Sequence, residues 1–377
     1  MAKRIFFVAG EASGDQHGAA VMRALRAADA DLEFHGRGGP QMRAVAGATM
    51  RDWVHEAAVV GLWEVLRRYG YFRAEFRGVL GEIALVRPDA VVLIDYPGFN
   101  LRLARVLRAS GTSAKIIYYI SPQVWAWNRR RIPRMAKWLD LMLCIFPFEA
   151  ELYNASGLRT IFVGHPIAEN LNTREMPERR ERDLVGLFPG SRMREVRSIF
   201  PVIQEAATAM RAELPQLRFE IAAASGKIAA EVARMLSPLE FAKFSITVGE
   251  APNLMRRAMV GLVASGTATL ESACFRLPFV LVYKVSWLTY LAARLVVRVE
   301  HLGMPNVLAG REIVREFIQH EARPDQIAKA ALALLQDPAA RADLVREFDN
   351  IVAKLGESRA SKSAASAILE EIGASDS

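Results

Sequence analysis

An aspartate stands directly after an apolar run that has the pattern of a buried strand. Asp95 follows Ala90–Ile94 and precedes Tyr96-Pro97. In open parallel sheets, ligands bind beyond the carboxyl ends of the strands. Partial burial there raises the pKa of a carboxyl group and suits it to act as a general base. The same aspartate could equally stabilise a turn before the proline, and these residues alone do not decide between the two roles.

Two turns rich in small residues follow predicted strands in the second half of the sequence. Each turn opens a helix, whose free N–H groups and positive end suit a phosphate. Arg192 could clamp that phosphate with two hydrogen bonds, and Glu271 could accept from ribose hydroxyls. The alternative is two ordinary helix starts with both charged side chains in solvent. The residues concerned are Gly190, Ser191, Arg192, Ser265, Gly266, Thr267, Thr269 and Glu271.

Two further glycine turns follow predicted strands near the start of the chain. Residues 10–15 come after the predicted strand Arg4–Val8, and Ser13 or Asp15 could cap the next helix. Residues 35–40 come after the second predicted strand. Neither turn has the lysine and hydroxyl of a P-loop or the spaced glycines of a dinucleotide fingerprint. Each is therefore also compatible with a simple tight turn.

Two parallel sheets are needed to place these turns. Short β-rich runs alternate with amphipathic stretches along the whole chain, which predicts an α/β protein with two doubly wound domains. A charged stretch, 173–183, is interpreted as the linker between them. The predicted domains are 1–172 and 173–350. Residues 351–377 are predicted to be a helical tail, of which 358–377 form at best a frayed helix.

Composition and cysteine count exclude several classes of protein. The 377 residues are 52% hydrophobic and 24% charged, which is typical of a globular chain. Cys144 and Cys274 lie in separate apolar runs, so neither a disulfide framework nor a structural zinc site is expected. None of the six histidines has metal-ligand spacing, and we expect no metal site. The net charge of +8 favours an anionic partner, or reflects only an arginine-rich composition.

Two stretches, 59–76 and 286–299, combine aromatic, aliphatic and basic residues. Such stretches can lie in a lipid interface, although they also fit core helices with arginine rims. No stretch is apolar for long enough to cross a bilayer, so membrane contact is expected to be peripheral. Arg129-Arg130-Arg131 could indicate nucleic acid, but no recognition signature supports that. The residues predicted to face the membrane are Leu62, Trp63, Val65, Leu66, Tyr69 and Phe72.

Short motifs spread along nearly the whole chain resemble the lipid-A-disaccharide synthase family. Each motif is short, but their joint order and spacing are specific. The match thins in the charged linker and in the last 20 residues. The motifs are GEASGD (10–15), GxGGPxM (36–42), the segment 61–66, PDxVxxIDYPGFN (88–100), YYISPQVWAW (118–127), FPFE (146–149), FVGHP (162–166), PGSRxxE (189–195), SGTATLE (265–271), PNVLAG (305–310) and the segment 316–319.

The resemblance implies a GT-B glycosyltransferase, with two Rossmann-like domains facing a cleft. It implies transfer from UDP-2,3-diacylglucosamine to 2,3-diacylglucosamine 1-phosphate, giving a β-1,6-linked disaccharide 1-phosphate and UDP with inversion. No cofactor and no metal ion are expected. The protein is expected to lie in the cytoplasm, on the cytoplasmic face of the inner membrane and against its anionic surface, without a nucleic-acid partner. A homodimer is compatible with the resemblance.

The resemblance also assigns roles to residues. Asp95 becomes the candidate base, and the small-residue turns of the second half become the UDP-sugar site. Asn306 and Gln319 belong to family motifs of that half, with roles that their residue types do not define. The residues placed on the acceptor side are Glu11, Ser13, Asp15, Asn100 and Gln123.

Two alternatives remain open at this point. One is another GT-B enzyme, such as a UDP-GlcNAc epimerase or a transferase of unacylated sugars, for which activity on UDP-GlcNAc alone would be diagnostic. The other is a module that binds membranes or nucleic acid without catalysis. Salt-sensitive binding of DNA or RNA without affinity for UDP would favour the second alternative.

Overall fold

A computed structural model describes residues 2–54, 69–170, 180–285, 300–356 and 359–373. The chain divides into two compact units. The first comprises Met1–Asn170 and Leu355–Ser377, and the second comprises Leu171–Lys354. Each unit has its own parallel sheet and its own hydrophobic core. The prediction of two doubly wound α/β domains is confirmed.

Seven parallel strands form the sheet of the first unit, in the order β3-β2-β1-β4-β5-β6-β7. The order changes direction between β1 and β4, which makes their carboxyl ends the expected binding edge. All five residues of β4 are buried, as in a strand with helices on both faces. The strands are β1 (Arg4–Ala9), β2 (Glu33–Gly38), β3 (Met50–Asp52), β4 (Ala90–Ile94), β5 (Lys115–Tyr119), β6 (Leu141–Cys144) and β7 (Thr160–Phe162).

Helices cover both faces of this sheet, and two 3₁₀ turns, Gly47–Thr49 and Arg129–Arg131, lie between them. Alternate residues of β1 enter opposite cores: Phe6 and Val8 on one face, Ile5 and Phe7 on the other. The helices before residue 171 are α1 (Ala12–Ala28), α2 (Pro40–Ala46), α3 (Tyr69–Val86), α4 (Pro97–Ala109), α5 (Val124–Trp127), α6 (Ile132–Met135), α7 (Pro147–Asn154) and α8 (Pro166–Asn170).

Six parallel strands form the sheet of the second unit, in the order β10-β9-β8-β11-β12-β13. Its direction changes between β8 and β11, beside the two predicted phosphate turns. The strands are β8 (Glu181–Phe188), β9 (Arg218–Ala223), β10 (Phe244–Val248), β11 (Ala258–Ala264), β12 (Phe279–Tyr283) and β13 (Glu316–Ile318). The helices are α9 (Met193–Glu213), α10 (Gly226–Met235), α11 (Pro238–Phe241), α12 (Ala251–Arg257), α13 (Thr267–Cys274), α14 (Met304–Ala309), α15 (Pro324–Gln336) and α16 (Pro338–Lys354).

The end of the chain forms an ordered helix, α17 (Ala360–Gly373), which packs on α1 of the first unit. Ala364 and Ile368 are completely buried in the core beneath it. Glu169 accepts hydrogen bonds from the N–H and hydroxyl of Ser361 near the start of this helix. The tail is helical as predicted, but the expectation of at best a frayed helix over 358–377 is wrong for Ala360–Gly373. The sequence did not indicate this packing, because the apolar face of α17 is short and the helix on which it packs, α1, lies at the other end of the sequence.

Several predictions concern residues outside the described ranges. Of the predicted linker, 173–183, residues 173–179 lie there, and its last three residues are not linker but the start of β8, Glu181–Phe188. The whole stretch 286–299 also lies outside the described residues. Leu62, Trp63, Val65 and Leu66 also lie outside the described residues. Tyr69 is the first residue of α3, and Phe72 is half-buried with its ring 5.5 Å from that of Tyr71. Within the described ranges, no helix is long and apolar enough to cross a bilayer.

Candidate functional site

Hydrogen bonds hold the backbone of Asp95, the aspartate that follows β4, in an uncommon conformation. Asp95 and Tyr96 have φ angles of 45° and 51°, in the left-handed region that residues other than glycine rarely adopt. The N–H of Asp95 donates to Tyr119 O at 2.9 Å. Its carbonyl oxygen accepts from Tyr118 Oη at 2.6 Å and from Asn100 Nδ2 at 2.8 Å. Residues of β5 and α4 therefore fix where this aspartate stands.

The carboxyl group of Asp95 has the electrostatics of a base. Asp95 is half-buried, and its pKa is raised to about 6. Burial is the largest cause, because it penalises the charged form. The nearby Glu11 carboxylate raises the pKa further, whereas a hydrogen bond from the Tyr96 N–H lowers it. At neutral pH such a group is mostly ionised and can still accept a proton, as a general base must.

Asn100 supports this turn from inside the core. Its side chain is 0% exposed, and Nδ2 also donates to Ile94 O at 3.1 Å. Its Oδ1 is buried and has no hydrogen-bond partner among the described residues. Asn100 therefore positions the end of β4. Direct contact between Asn100 and an acceptor stays a prediction.

The three polar residues predicted after β1 have different surroundings. Glu11 and Ser13 are exposed at the start of α1. Asp15 is only 3% exposed, and its carboxylate accepts hydrogen bonds from the N–H groups of Gly39, Gln41 and Met42 at 2.8–3.0 Å. Neither Ser13 nor Asp15 caps α1, so that prediction is wrong. Asp15 caps α2 instead, because the fold brings the start of α2 beside it, and its carboxylate is occupied there.

Gln123 lies in the loop after β5 and is exposed. Side chains of α7 anchor this loop. Glu149 is 0% exposed, and its carboxylate accepts from Ser121 Oγ at 2.6 Å and from Trp125 Nε1 at 2.9 Å. Tyr153 Oη donates to Pro122 O at 2.6 Å. Burial raises the pKa of Glu149 to about 7.

Sequence reasoning did not single out Glu149, although it ends the FPFE motif. An acid three residues after the residue that precedes a helix is the usual signal for a capping carboxylate, and it could have identified this anchor. The Phe146 N–H does donate to Glu149, at 3.3 Å. Glu149 thereby links the start of α7 to the loop that carries Gln123.

The turn after β8 presents its predicted phosphate residues to solvent. Gly190 has φ of 106°, which glycine adopts without strain, and Ser191 and Arg192 are exposed before α9 begins. Arg192 Nη1 bonds to Glu195 Oε1 at 2.9 Å. Tyr283, at the end of β12, is an unpredicted neighbour: burial and Glu195 raise the pKa of its hydroxyl, and Arg192 lowers it. This edge thus combines a helix start, a guanidinium group and a phenol.

The turn after β11 is built differently from the one after β8. Gly266 has φ of 142°, and Gly266 and Thr267 are exposed at the start of α13. Thr269 is buried, and its hydroxyl donates to Gly266 O at 2.8 Å, so it stabilises the turn. Ser265 is half-buried, and its N–H donates to Val282 O at 3.2 Å. Glu271 is half-buried rather than solvated, and burial raises its pKa.

Asn306 and Gln319 use their side-chain amides to hold backbone. Asn306 is 0% exposed; its Oδ1 accepts from the N–H groups of Ile313 and Val314, and its Nδ2 donates to Val314 O and to Glu316. Gln319 exchanges two hydrogen bonds with the backbone of Val285, at 2.7 and 3.1 Å. Both side chains therefore position loops of the second unit, and direct contact with a nucleotide stays a prediction.

Among the described residues, no three histidine, cysteine, aspartate or glutamate side chains are grouped so that they could hold a metal ion. The chemistry available to the described residues is proton transfer at Asp95 and anion binding at the two helix starts of the second unit. Each of these features lies at the carboxyl edge of its own sheet, where the topology predicts ligands.

Comparison with known proteins covers almost the entire chain. Residues 5–370 match the model of a family described as Lipid-A-disaccharide synthetase. A lipid-A-disaccharide synthase of Trichlorobacter lovleyi is 39% identical over 378 residues, covering 98% of both chains. One from Myxococcus xanthus is 36% identical, covering 97% of both.

Solved structures of low sequence identity share the fold. A UDP-GlcNAc 2-epimerase from Neisseria meningitidis, solved with UDP-GlcNAc bound, has a TM-score of 0.64 at 11% identity, covering 98% of this chain and 100% of its own. The glycosyltransferase of kitacinnamycin has a TM-score of 0.61 at 15% identity, covering 98% and 99%. The GT-B architecture expected from the sequence is thereby confirmed.

Proposed function

Because the chain belongs to the lipid-A-disaccharide synthetase family, we propose that it joins UDP-2,3-diacylglucosamine to 2,3-diacylglucosamine 1-phosphate. The products are the β-1,6-linked disaccharide 1-phosphate and UDP. The observation that carries the proposal is Asp95, a half-buried carboxyl group with a raised pKa at the topological switch of the first sheet. The relatives named above supply the reaction class.

A single displacement accounts for the chemistry. The 6-hydroxyl oxygen of the acceptor forms a bond to C1 of the donor while the bond from C1 to the diphosphate oxygen breaks. The hydroxyl proton passes to the carboxylate of Asp95, and UDP leaves with the bonding electrons. Because attack and departure occur on opposite faces of C1, the anomeric configuration inverts. Hydrogen bonds from Tyr118 and Asn100 keep the base at the end of β4.

The second unit supplies the groups that stabilise the leaving UDP. The N-terminus of α9, a helix of 21 residues, carries partial positive charge beside Gly190 and Ser191. Arg192 can exchange its contact with Glu195 for one with a phosphate oxygen. The turn at Ser265–Thr267 supplies further N–H groups, and Glu271 accepts from the ribose. Asn306 and Gln319 act in this scheme as positioning residues. No metal ion is required when these groups stabilise the departing charge.

Acyl chains on both substrates require access to a lipid phase. We propose that the protein associates peripherally with the anionic cytoplasmic face of the inner membrane, through the stretches 59–76 and 286–299. The absence of an 18-residue uncharged apolar run in the sequence supports peripheral contact. Assembly into a homodimer is compatible with this arrangement. Flotation of the protein with phosphatidylglycerol vesicles tests the membrane contact.

The deciding experiment measures UDP release by purified protein given both lipid substrates in detergent, with EDTA present. Release that requires both lipids supports a metal-independent transferase. Release from the donor alone indicates hydrolysis and contradicts the proposal. Conversion of unacylated UDP-GlcNAc would favour an epimerase. Salt-sensitive nucleic-acid binding without UDP affinity would favour a non-catalytic module.

A further inference from the structure

A group of arginines lies on the connection between β5 and β6. Arg129, Arg130 and Arg131 form a 3₁₀ turn one residue beyond Trp127, whose side chain is 40% exposed. The guanidinium of Arg131 lies over the Trp127 ring, 5.2 Å from its centroid. Arg129 Nε donates to Trp125 O at 3.1 Å, and among the described residues its terminal nitrogens have no hydrogen-bond partner. Two of these arginines are therefore already oriented, so less side-chain entropy is lost when they bind a ligand.

These cations have no acidic neighbours in the sequence. Residues 121–139 contain neither aspartate nor glutamate. Among the described residues, no ion pair joins Arg129, Arg130 or Arg131 to a carboxylate. By contrast, Asp140, the first acid after this stretch, pairs with Arg108 at 2.6 Å. The positive charge of the turn is therefore available to a ligand.

The connection that carries this turn begins at the edge of the sheet where Asp95 stands. β4 and β5 are neighbouring strands, and the loop after β5 is tied to the start of α7 through Trp125 and Glu149. Of the turns at this edge, those after β1 and β4 carry Glu11 and Asp95, whose negative charges repel a phosphate dianion. The connection after β5 instead offers cations.

We propose that Arg129, Arg130 and Arg131, with Trp127, form the subsite for the phosphate monoester of the acceptor. The inference rests on the proposed function, which supplies an acceptor with a reacting hydroxyl at one end and a phosphate at the other. One guanidinium group can donate two parallel hydrogen bonds to the oxygens of a phosphate, and the ring of Trp127 holds the guanidinium of Arg131 in place. When the reacting hydroxyl of the acceptor lies at Asp95, the phosphate at the other end of the sugar lies away from the carboxylates of Glu11 and Asp95. It then contacts the turn Arg129–Arg131.

The test compares two acceptors, 2,3-diacylglucosamine with and without the 1-phosphate, in detergent micelles. For Arg129→Ala/Arg130→Ala, kcat/KM with the phosphorylated acceptor should fall on the order of 10–100-fold, the usual range for lost charged hydrogen bonds. The rate with the dephosphorylated acceptor should stay within about twofold of wild type, because that acceptor makes no contact with the missing groups. The preference for phosphate would then be largely lost.

The matched control is Arg134→Ala/Lys137→Ala, which also removes two exposed cations but lies where the chain returns toward the start of β6. It should retain the preference for the phosphorylated acceptor. An equal loss on both acceptors, or no loss on either, overturns the proposal. It is also overturned if the arginine variant keeps its preference but no longer binds phosphatidylglycerol vesicles, since the turn would then serve lipid headgroups. Absence of UDP release by the wild type with either acceptor refutes the proposed function instead.

Discussion

At the scale of single residues, the neighbours of each side chain decide what it can do. Asp95 and Asp15 are both aspartates next to the edge of the first sheet. The carboxylate of Asp15 accepts three backbone hydrogen bonds and is occupied. The carboxyl group of Asp95 is partly desolvated and faces another acid, so its pKa is raised. Asp95 can therefore exchange a proton near neutral pH.

Replacing the proposed base, Asp95, should slow the reaction without changing the affinity for UDP. Asp95→Ala should lower turnover by roughly 10²–10⁴-fold, the usual contribution of general base catalysis. Because UDP is assigned to the other unit, its affinity by titration calorimetry should stay at the wild-type value. Turnover close to wild type would remove Asp95 from the base role.

The raised pKa of Asp95 predicts a pH dependence. Protonated Asp95 cannot accept the hydroxyl proton, so kcat/KM should decline as the pH falls through about 6, by about tenfold for each further unit. Glu11 contributes to the raised pKa, so Glu11→Gln should shift this limb to lower pH. An acidic limb that stays at the same pH in Glu11→Gln would show that another group controls it.

Arg192 should determine nucleotide affinity. Arg192→Ala should weaken UDP binding on the order of tenfold or more, because a charge-assisted phosphate contact is lost. Arg194→Ala is the matched control, since Arg194 is an exposed arginine near the start of the same helix. Calorimetry that gives equal UDP affinities for the two variants would place the diphosphate elsewhere.

At the scale of elements, buried polar side chains fix the conformation of turns and loops, which the backbone hydrogen bonds of strands and helices do not fix. Asp15 holds the start of α2, Glu149 holds the loop after β5, and Asn306 holds the loop after α14. Each contributes several hydrogen bonds to backbone or loop groups outside its own helix. Loss of such a residue leaves buried donors unsatisfied, which costs more than the bond itself contributes.

The contribution of the Asp15 cap of α2 to the free energy of unfolding should be measurable. Asp15→Ala should lower the free energy of unfolding of the first unit by about 2–3 kcal/mol, because three N–H groups lose a charged acceptor. Tryptophan fluorescence during urea denaturation reports mainly on this unit, since five of the six tryptophans precede residue 171. Ser13→Ala, at an exposed position, should change little, and equal effects of the two variants would contradict the cap.

At the scale of the whole molecule, the last helix completes the unit in which the chain begins. α17 buries its apolar face on α1, and Arg159 and Lys115 pair with Glu371 on that helix. The chain therefore passes through the second unit and returns to the first. Stability of the first unit depends on residues at both ends of the sequence.

This dependence predicts the effect of one core substitution. Ile368→Ala should destabilise the first unit by about 2–5 kcal/mol, the usual cost of a large-to-small change at a fully buried site. Lys362→Ala, at an exposed position of the same helix, is the control. Unfolding followed by tryptophan fluorescence should separate the two variants. If both unfold at the wild-type denaturant concentration, α17 does not contribute to the core in solution.

Local pattern in the sequence was sufficient to predict two parallel sheets and the turns at their edges, whereas the strand order, and hence the switch points, came only from the structure. Buried parallel strands need continuous apolar runs, and the turns that follow them need small residues, so these features are visible within a few positions. The two short strands β3 and β13 were missed, because each has three residues that include charged ones and neither forms a continuous apolar run. Motif order along the chain then indicated the family.

Only the tertiary structure decided which polar residues are free for chemistry. The sequence treated Asp15 and Asn306 alike as candidate site residues, and the fold occupies both with backbone groups. It also buried Glu149, brought Glu11 near Asp95, and placed α17 on α1. Each of these outcomes depends on which distant segments the sheets bring together. Burial and hydrogen bonding, and hence pKa and reactivity, follow from that proximity and not from the residue type alone.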